Sequence, residues 1–414
     1  KQTFPPISVL SATISGASFY FLNDAMKTIR QLLLFSLLSS AFGLVCHAAT
    51  HVVLPGQSLQ AAINGAASGD TIVIPTAGAF PENITITGKA LRIRGAQAGN
   101  HDIEGNFVIS AVPAGGKVTL RNLTVLGNLD ANGSSLDLLR CKVTGETTLP
   151  SKLGSTGNEV QLIVVQSDLR EKLVSKVARS WVGYSTLEQT YFENKVELVG
   201  NDFDGRAGGG IGIDLNGTAT NASIHNNLIW KFEKNANSET EQLIGIRVDG
   251  GAKAEIRNNA INNNRDNYHP GWEVLSGMGV YVKSTTGTSV VGNIMWTNYV
   301  SGGATTGHAN VWAPAQNVVV KYNALRSDGG SSLVAGGADN LAFITNIDSN
   351  GQHFLTNPAG YMEGRAGKDK GPPEVIYNDH DGSRNDIGPN GGRNYLPNGR
   401  TTNKPIPISF TAAP

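Results

Sequence analysis

Four runs in the second half of the chain, SIHNNLI (223–229), EIRNNAI (255–261), SVVGNIM (289–295) and VVKYNAL (319–325), share one template. Each has an apolar residue, an Asn three positions on, and a second apolar residue two beyond the Asn. The Asn residues are Asn227, Asn259, Asn293 and Asn323, at successive spacings of 32, 34 and 30. Upstream the same pattern carries a small residue at the Asn position: Leu138-Cys141-Val143, Val164-Ser167-Leu169, Val182-Ser185-Leu187 and Leu198-Asn201-Phe203. A short unit recurring at a variable period, with the drift confined to the segments between units, is the mark of a solenoid.

The units are β-branched and bounded by Gly, Asn, Asp and Ser, so they read as strand followed by turn. Helical periodicity is almost absent beyond residue 70, and Gly accounts for 50 of 414 residues. One short strand cannot bury its own inward face, whereas strands stacked rung on rung do so together. Asn side chains brought into register hydrogen-bond up the stack, which satisfies an inward-turned amide at a corner. The expected fold is therefore all-β: a right-handed parallel β-helix solenoid with a short N-terminal capping helix.

At these residues, across about 50–390, the chain resembles the right-handed parallel β-helix proteins of the pectate-lyase-like superfamily. Gln57–Ile63 is expected to form a short helix with Leu59, Ala62 and Ile63 on one face. The run GQSLQAAI, followed by GDTIVIP and FPENITI, resembles the N-terminal cap of such proteins. A cap is physically required, because an open solenoid end exposes core and unpaired edges. DHDGSRNDIGPNGG (379–392) resembles the closing segment of secreted bacterial β-helix proteins. Residues 50–95 are assigned to the cap and first rungs, 96–392 to the β-helix, and 393–414 to a linker or the start of a further domain.

The formal charge is balanced, with 33 basic and 33 acidic residues, so no polyanion-binding stripe is announced and nucleic acid is not an expected partner. From Met26 the chain reads as an export signal. Lys27 and Arg30 are basic, Leu32 to Val45 is an apolar run short for a bilayer span, and His47-Ala48-Ala49 offers small residues for cleavage near Ala48 or Ala49. Residues 1–25 read as an upstream segment. The mature chain would be bacterial, secreted, periplasmic or surface-bound, without a transmembrane segment. It would keep Cys141 alone of the two cysteines, which rules out an internal disulfide.

Chemistry is expected on a second strand set, IGIDLNG (211–217), IGIRVDG (244–250), GVYVKS (279–284) and HANVWAP (308–314). Alternation turns Ile213, Leu215, Ile246, Val248, Val280 and Val282 inward. The outward residues then stack in columns, Asp214, Arg247, Tyr281 and Asn310 in one, Asn216, Asp249, Lys283 and Trp312 in the next, with His308 one step earlier. The segment Asn262–Ser276 adds Tyr268, His269 and Trp272, and long loops on a rigid scaffold tend to carry function. Exposed aromatics beside polar groups suit sugar rings, so an extracellular polysaccharide is the expected partner.

Two reactions fit. β-Elimination on a uronate-containing polysaccharide would use Arg247 to neutralise the carboxylate and Lys283, Tyr281 or His308 as base. Inverting hydrolysis would use Asp214 and Asp249, one rung and two residues apart, or about 8 Å. A non-catalytic surface rod is the third reading, in which Asp214–Arg247 and Asp249–Lys283 are plain cross-strand ion pairs. No cofactor is required by any of the three. Asp202 and Asp204, outward on either side of Phe203, are candidate calcium ligands, as is the alternating set Asp379, Asp381, Ser383 and Asn385. The oligomeric state is left open.

Overall fold

A computed structural model of the protein describes residues 48–96, 101–150, 160–205, 209–232, 242–262, 264, 277–283, 287–296, 298, 309–313, 318–325, 332–336, 347–348, 383 and 388. Ala49–Pro414 forms one compact unit. Every strand pairing in it is parallel, and the strands build a parallel β-helix.

Each rung contributes to three columns of strands. The first column is a 12-stranded sheet running from Thr50–Val52 to Val319–Lys321. The other two belong to a 21-stranded sheet and share the long strands Asp168–Ser175 and Thr186–Phe192. Beyond those strands the columns separate. Asp202–Asp204, Leu228–Trp230 and Ala260–Asn262 continue the second, and Ile211–Leu215, Ile244–Val248 and Met278–Val282 the third. Alternation decides what each strand buries: Ile84 and Ile86 of Ile84–Thr87 point in while Thr85 and Thr87 point out. The inward residues, all but inaccessible, merge into one continuous core from Val53 to Leu325.

The Asn column forms as the spacing predicts. Asn227, Asn259, Asn293 and Asn323 are fully buried. Each backbone amide donates to the Oδ1 of the next: Asn227 to Asn259 at 3.0 Å, Asn259 to Asn293 at 2.9 Å and Asn293 to Asn323 at 2.9 Å. The upstream small residues extend the column, from Cys141 to Ser167 (3.1 Å), Ser167 to Ser185 (3.1 Å), Ser185 to Asn201 (3.0 Å) and Asn201 to Asn227 (2.9 Å). The residue before each ladder position is left-handed, with φ near +55° at Arg140 and Tyr184 and +64° at Gly200. That geometry turns the chain from the first column into the second within one residue, at a steric cost that the ladder offsets.

Two further Asn stacks were not read from the sequence. Asn264 donates through Nδ2 to Asn298, and Asn298 to Asn310, each at 2.9 Å and fully buried. They sit five residues after Asn259 and Asn293, an offset that the sequence displays. Near the N-terminus Asn83, Asn106 and Asn128 accept from the backbone amides of Asn106, Asn128 and Glu146. Beside them Gly105 and Gly127 admit no Cβ, which would come within 2.6 and 2.5 Å of the Asn oxygens.

The capping helix is Leu59–Gly65, with Leu59 and Ile63 buried and Ala62 packed against the core. Ser58 caps it by accepting from Ala61 N, and Glu82 accepts from Leu59 N (2.6 Å) and Ser58 Oγ (2.8 Å). The Glu of PENITI thus completes the helix start. Gln60 covers the free edge of Ile84–Thr87, donating to Thr85 O (3.0 Å) and accepting from Thr85 N (2.6 Å). Of the closing segment, Ser383 and Gly388 are described, and Gly388 N donates to Gly292 O at 2.7 Å. Cys141 is buried, its thiol donates to Leu120 O at 3.3 Å, and burial pushes its pKa up to about 11. No helix among the described residues is long and apolar enough to cross a membrane.

Candidate functional site

The outer face of the third column carries the residues expected there, with one change of register. Ile213, Leu215, Ile246, Val248, Val280 and Val282 all point into the core. Asp214 pairs with Arg247, Arg247 with Tyr281, and Tyr281 with Trp312. Trp312, expected one column over, therefore takes the place expected for Asn310. The reason is the Val280–Val311 pairing, which starts the last rung two residues earlier and draws Asn310 into the buried amide stack at its corner. Asn310 is fully buried and is not a surface contact for a ligand. Tyr191 lies below Asp214 in the same column.

The column is held by charge. Arg247 grips Asp214 with two bonds, Nε to Oδ1 at 2.9 Å and Nη2 to Oδ2 at 2.6 Å, and donates its remaining terminal nitrogen to Gln242 at 2.9 Å. Burial works against the Arg247 charge, but Asp214 outweighs it and raises the guanidinium above its ordinary pKa. Burial raises Tyr281, and Lys283 only partly opposes it, so the phenol keeps its proton. Tyr191 is pushed up to about 12 by burial and by its bond to Glu193. In the neighbouring column Lys283 lies 3.5 Å from Asp249, whose Oδ1 also accepts from Gly250 N. Tyr268, His269, Trp272 and His308 lie outside the described residues.

A second group of side chains lies on the outer face of the second column. Phe203 points into the core, so Asp202 and Asp204 face outward as expected. Asp202 Oδ1 accepts from the Trp230 indole at 2.8 Å, and Lys231 Nζ sits 3.8 Å over the Trp230 ring. Asp204 pairs with Trp230 in register, and Leu187 with Phe203, which sets Glu188 opposite Asp204. A bulge between Leu169 and Lys172 brings both Arg170 and Glu171 to the rung below, and Arg170 pairs with Asp168. Burial first, then Glu171, Asp204 and Asp168, push Glu188 up to about 7 against the pull of Arg170. Burial also raises Asp204, opposed by Lys231 and Arg170. Among the described residues no three His, Cys, Asp or Glu side chains gather into a metal-holding group. Asp379, Asp381 and Asn385 lie outside them.

Sequence reading picked out Asp202 and Asp204 but missed Glu188 and Trp230 beside them, although one offset contains them. Counting three residues on from Ser167, Ser185, Asn201, Asn227 and Asn259 gives Arg170, Glu188, Asp204, Trp230 and Asn262. The ladder position is thus a ruler for outward columns. No protein-family model matches the chain, and no curated protein matches it in sequence.

Proposed function

We propose that the chain is an exported carbohydrate-active protein that cleaves an extracellular polysaccharide, by glycoside hydrolysis at Glu188 and Asp204. The ladder and cap sequences, which resemble the pectate-lyase-like superfamily, support the general reading. The observation that carries the hydrolytic one is the column Glu188, Asp204, Trp230, in which two carboxyl groups, both pushed upward by burial, lie next to an aromatic ring.

Neighbouring strands lie about 4.8 Å apart, so carboxyls facing each other across one rung are about 5 Å apart, the separation of a retaining pair rather than an inverting one. Glu188, at about 7, holds its proton near neutrality and would deliver it to the leaving glycosidic oxygen. Asp204, raised by burial with Lys231 and Arg170 opposing, would as its carboxylate attack the anomeric carbon while the C–O bond breaks. Water, deprotonated by Glu188, would then release the sugar from Asp204. The Trp230 ring supplies an apolar face for a neighbouring sugar.

The alternatives draw less support. Elimination needs a cation free to meet a uronate, and Arg247 spends its fork on Asp214 and Gln242. Asp214 and Asp249 are each held in an ion pair, with Arg247 and with Lys283, so neither carboxylate is left open to a glycosidic oxygen. The same closed pairs favour the non-catalytic rod as the second reading. A screen of the secreted protein against uronate and neutral polysaccharides separates the three. Hydrolysis releases new reducing ends with retained anomeric configuration, and Glu188→Gln and Asp204→Asn abolish it while leaving the circular dichroism intact. An ultraviolet-absorbing unsaturated product lost in Arg247→Ala or Lys283→Ala restores elimination. Absence of any product leaves the rod.

A further inference from the structure

Among the described residues the fold opens with the backbone nitrogen of Ala49. It donates to Asp70 Oδ1 at 2.7 Å, while the Asp70 carboxylate also accepts from Ala67 N at 2.8 Å and His51 Nε2 at 2.9 Å. Asp70 is buried at 4 % exposure, and these donors hold its carboxyl below the ordinary range, His51 foremost. Ala49 O in turn accepts from Thr71 N at 2.8 Å, which starts the first sheet. Ala48 and Ala49 are exposed, and the buried core begins only at Val53.

We propose that the Ala48–Ala49 peptide bond is a processing site, and that the α-amino group freed on Ala49 is held by the Asp70 carboxylate. The inference rests on the export reading of residues 26–49 and fixes the cleaved bond within it. A peptidase that adds water across this bond leaves a carboxylate on Ala48 and an ammonium on Ala49. Cutting here places the small residues Ala48 and Cys46 one and three positions before the bond, whereas cutting after Ala49 places His47 at the third. The cut converts a neutral donor to an ammonium, which adds an ion pair to a hydrogen bond that the carboxylate already accepts. Asp70 is built for the processed chain.

The sign of the pH effect follows. An α-amino group gaining a carboxylate partner has its pKa raised above the ordinary value of about 8. Its contribution to stability is complete below about pH 8 and is lost as pH rises through the raised value. The full-length chain, expressed in an exporting host, is analysed by N-terminal mass spectrometry and then by thermal unfolding. The comparison protein carries one Gly inserted after Ala48, which moves the amine away from Asp70 without touching the fold. We expect the secreted chain to begin at Ala49. Its Tm should exceed that of the insertion variant near pH 7, with the difference vanishing by about pH 10. His51 is the other titratable group on Asp70, so the series is repeated in His51→Gln, where the difference should persist. A chain retained uncut overturns the export reading together with this one. A chain cut elsewhere, or equal Tm values at neutral pH, overturns this inference alone.

Discussion

Replacing Asn259 by Leu tests the ladder where it is most connected. The Asn259 Oδ1 accepts from Asn227 N (3.0 Å) and Asn227 Nδ2 (3.0 Å). Its Nδ2 lies within bonding distance of Ile224 O (2.9 Å), Arg257 O (3.0 Å) and Asn293 Oδ1 (2.9 Å). An amide nitrogen carries two hydrogens, so these contacts amount to four hydrogen bonds, with one hydrogen shared. At about 1 kcal/mol net for each, their loss comes to about 4 kcal/mol. The Asn227 amide, buried and left without its acceptor, keeps that figure from shrinking by solvation. The column supplies its own control series. Ser167 and Ser185 occupy the same position upstream and accept from the preceding amide through their hydroxyls, so Asn259→Ser should cost about half as much as Asn259→Leu. Urea unfolding followed by circular dichroism gives the free energies, and hydrogen exchange at Asn227 N locates the loss. Leu and Ser variants of equal stability, or a Leu variant as stable as one at exposed Asn132, would refute the reasoning.

Three further outcomes follow. The hydrolytic rate on a degraded polysaccharide should fall as pH rises through about 7, because Glu188 loses the proton it donates, and a rate that climbs through that value would contradict its role. Arg247→Ala should destabilise the fold by about 2–4 kcal/mol, since it strands the largely buried Asp214, and the double change with Asp214→Ala should recover most of that loss in chemical unfolding. Cys141 should resist thiol reagents in the native state, its pKa standing at about 11, and Cys141→Ser should fold with near-native stability because Ser already serves the next two rungs.

The solenoid was legible because its rungs repeat a physical need, an amide turned inward at each corner, and only a few residue types meet it. Asn227 and Cys141 could be aligned without any coordinate. The outward columns depend instead on where each rung starts, and alternation alone leaves that open by two residues. Asp214, Arg247 and Tyr281 lie on rungs of matching start, so they came out in register, while Asn310 and Trp312 lie beyond a loop of different length and exchanged places. Glu188 escaped notice for another reason. Its character comes first from burial, then from Glu171, brought in by a bulge, and from Asp204 one rung away, and neither the bulge nor the crowding is written in a local pattern.

The ladder also has a mechanical meaning. Force applied along the axis loads every rung in series, and the corner column is what each rung must break to peel away. Successive ladder residues are 16 apart between Ser185 and Asn201 but 34 apart between Asn259 and Asn293. At about 3.4 Å of contour for each residue, a rung at the first place releases about 55 Å of chain and one at the second about 115 Å. The same fastening thus guards unequal lengths of slack, so the chain extends under tension in discrete steps of unequal length, the longest between Asn227 and Asn323.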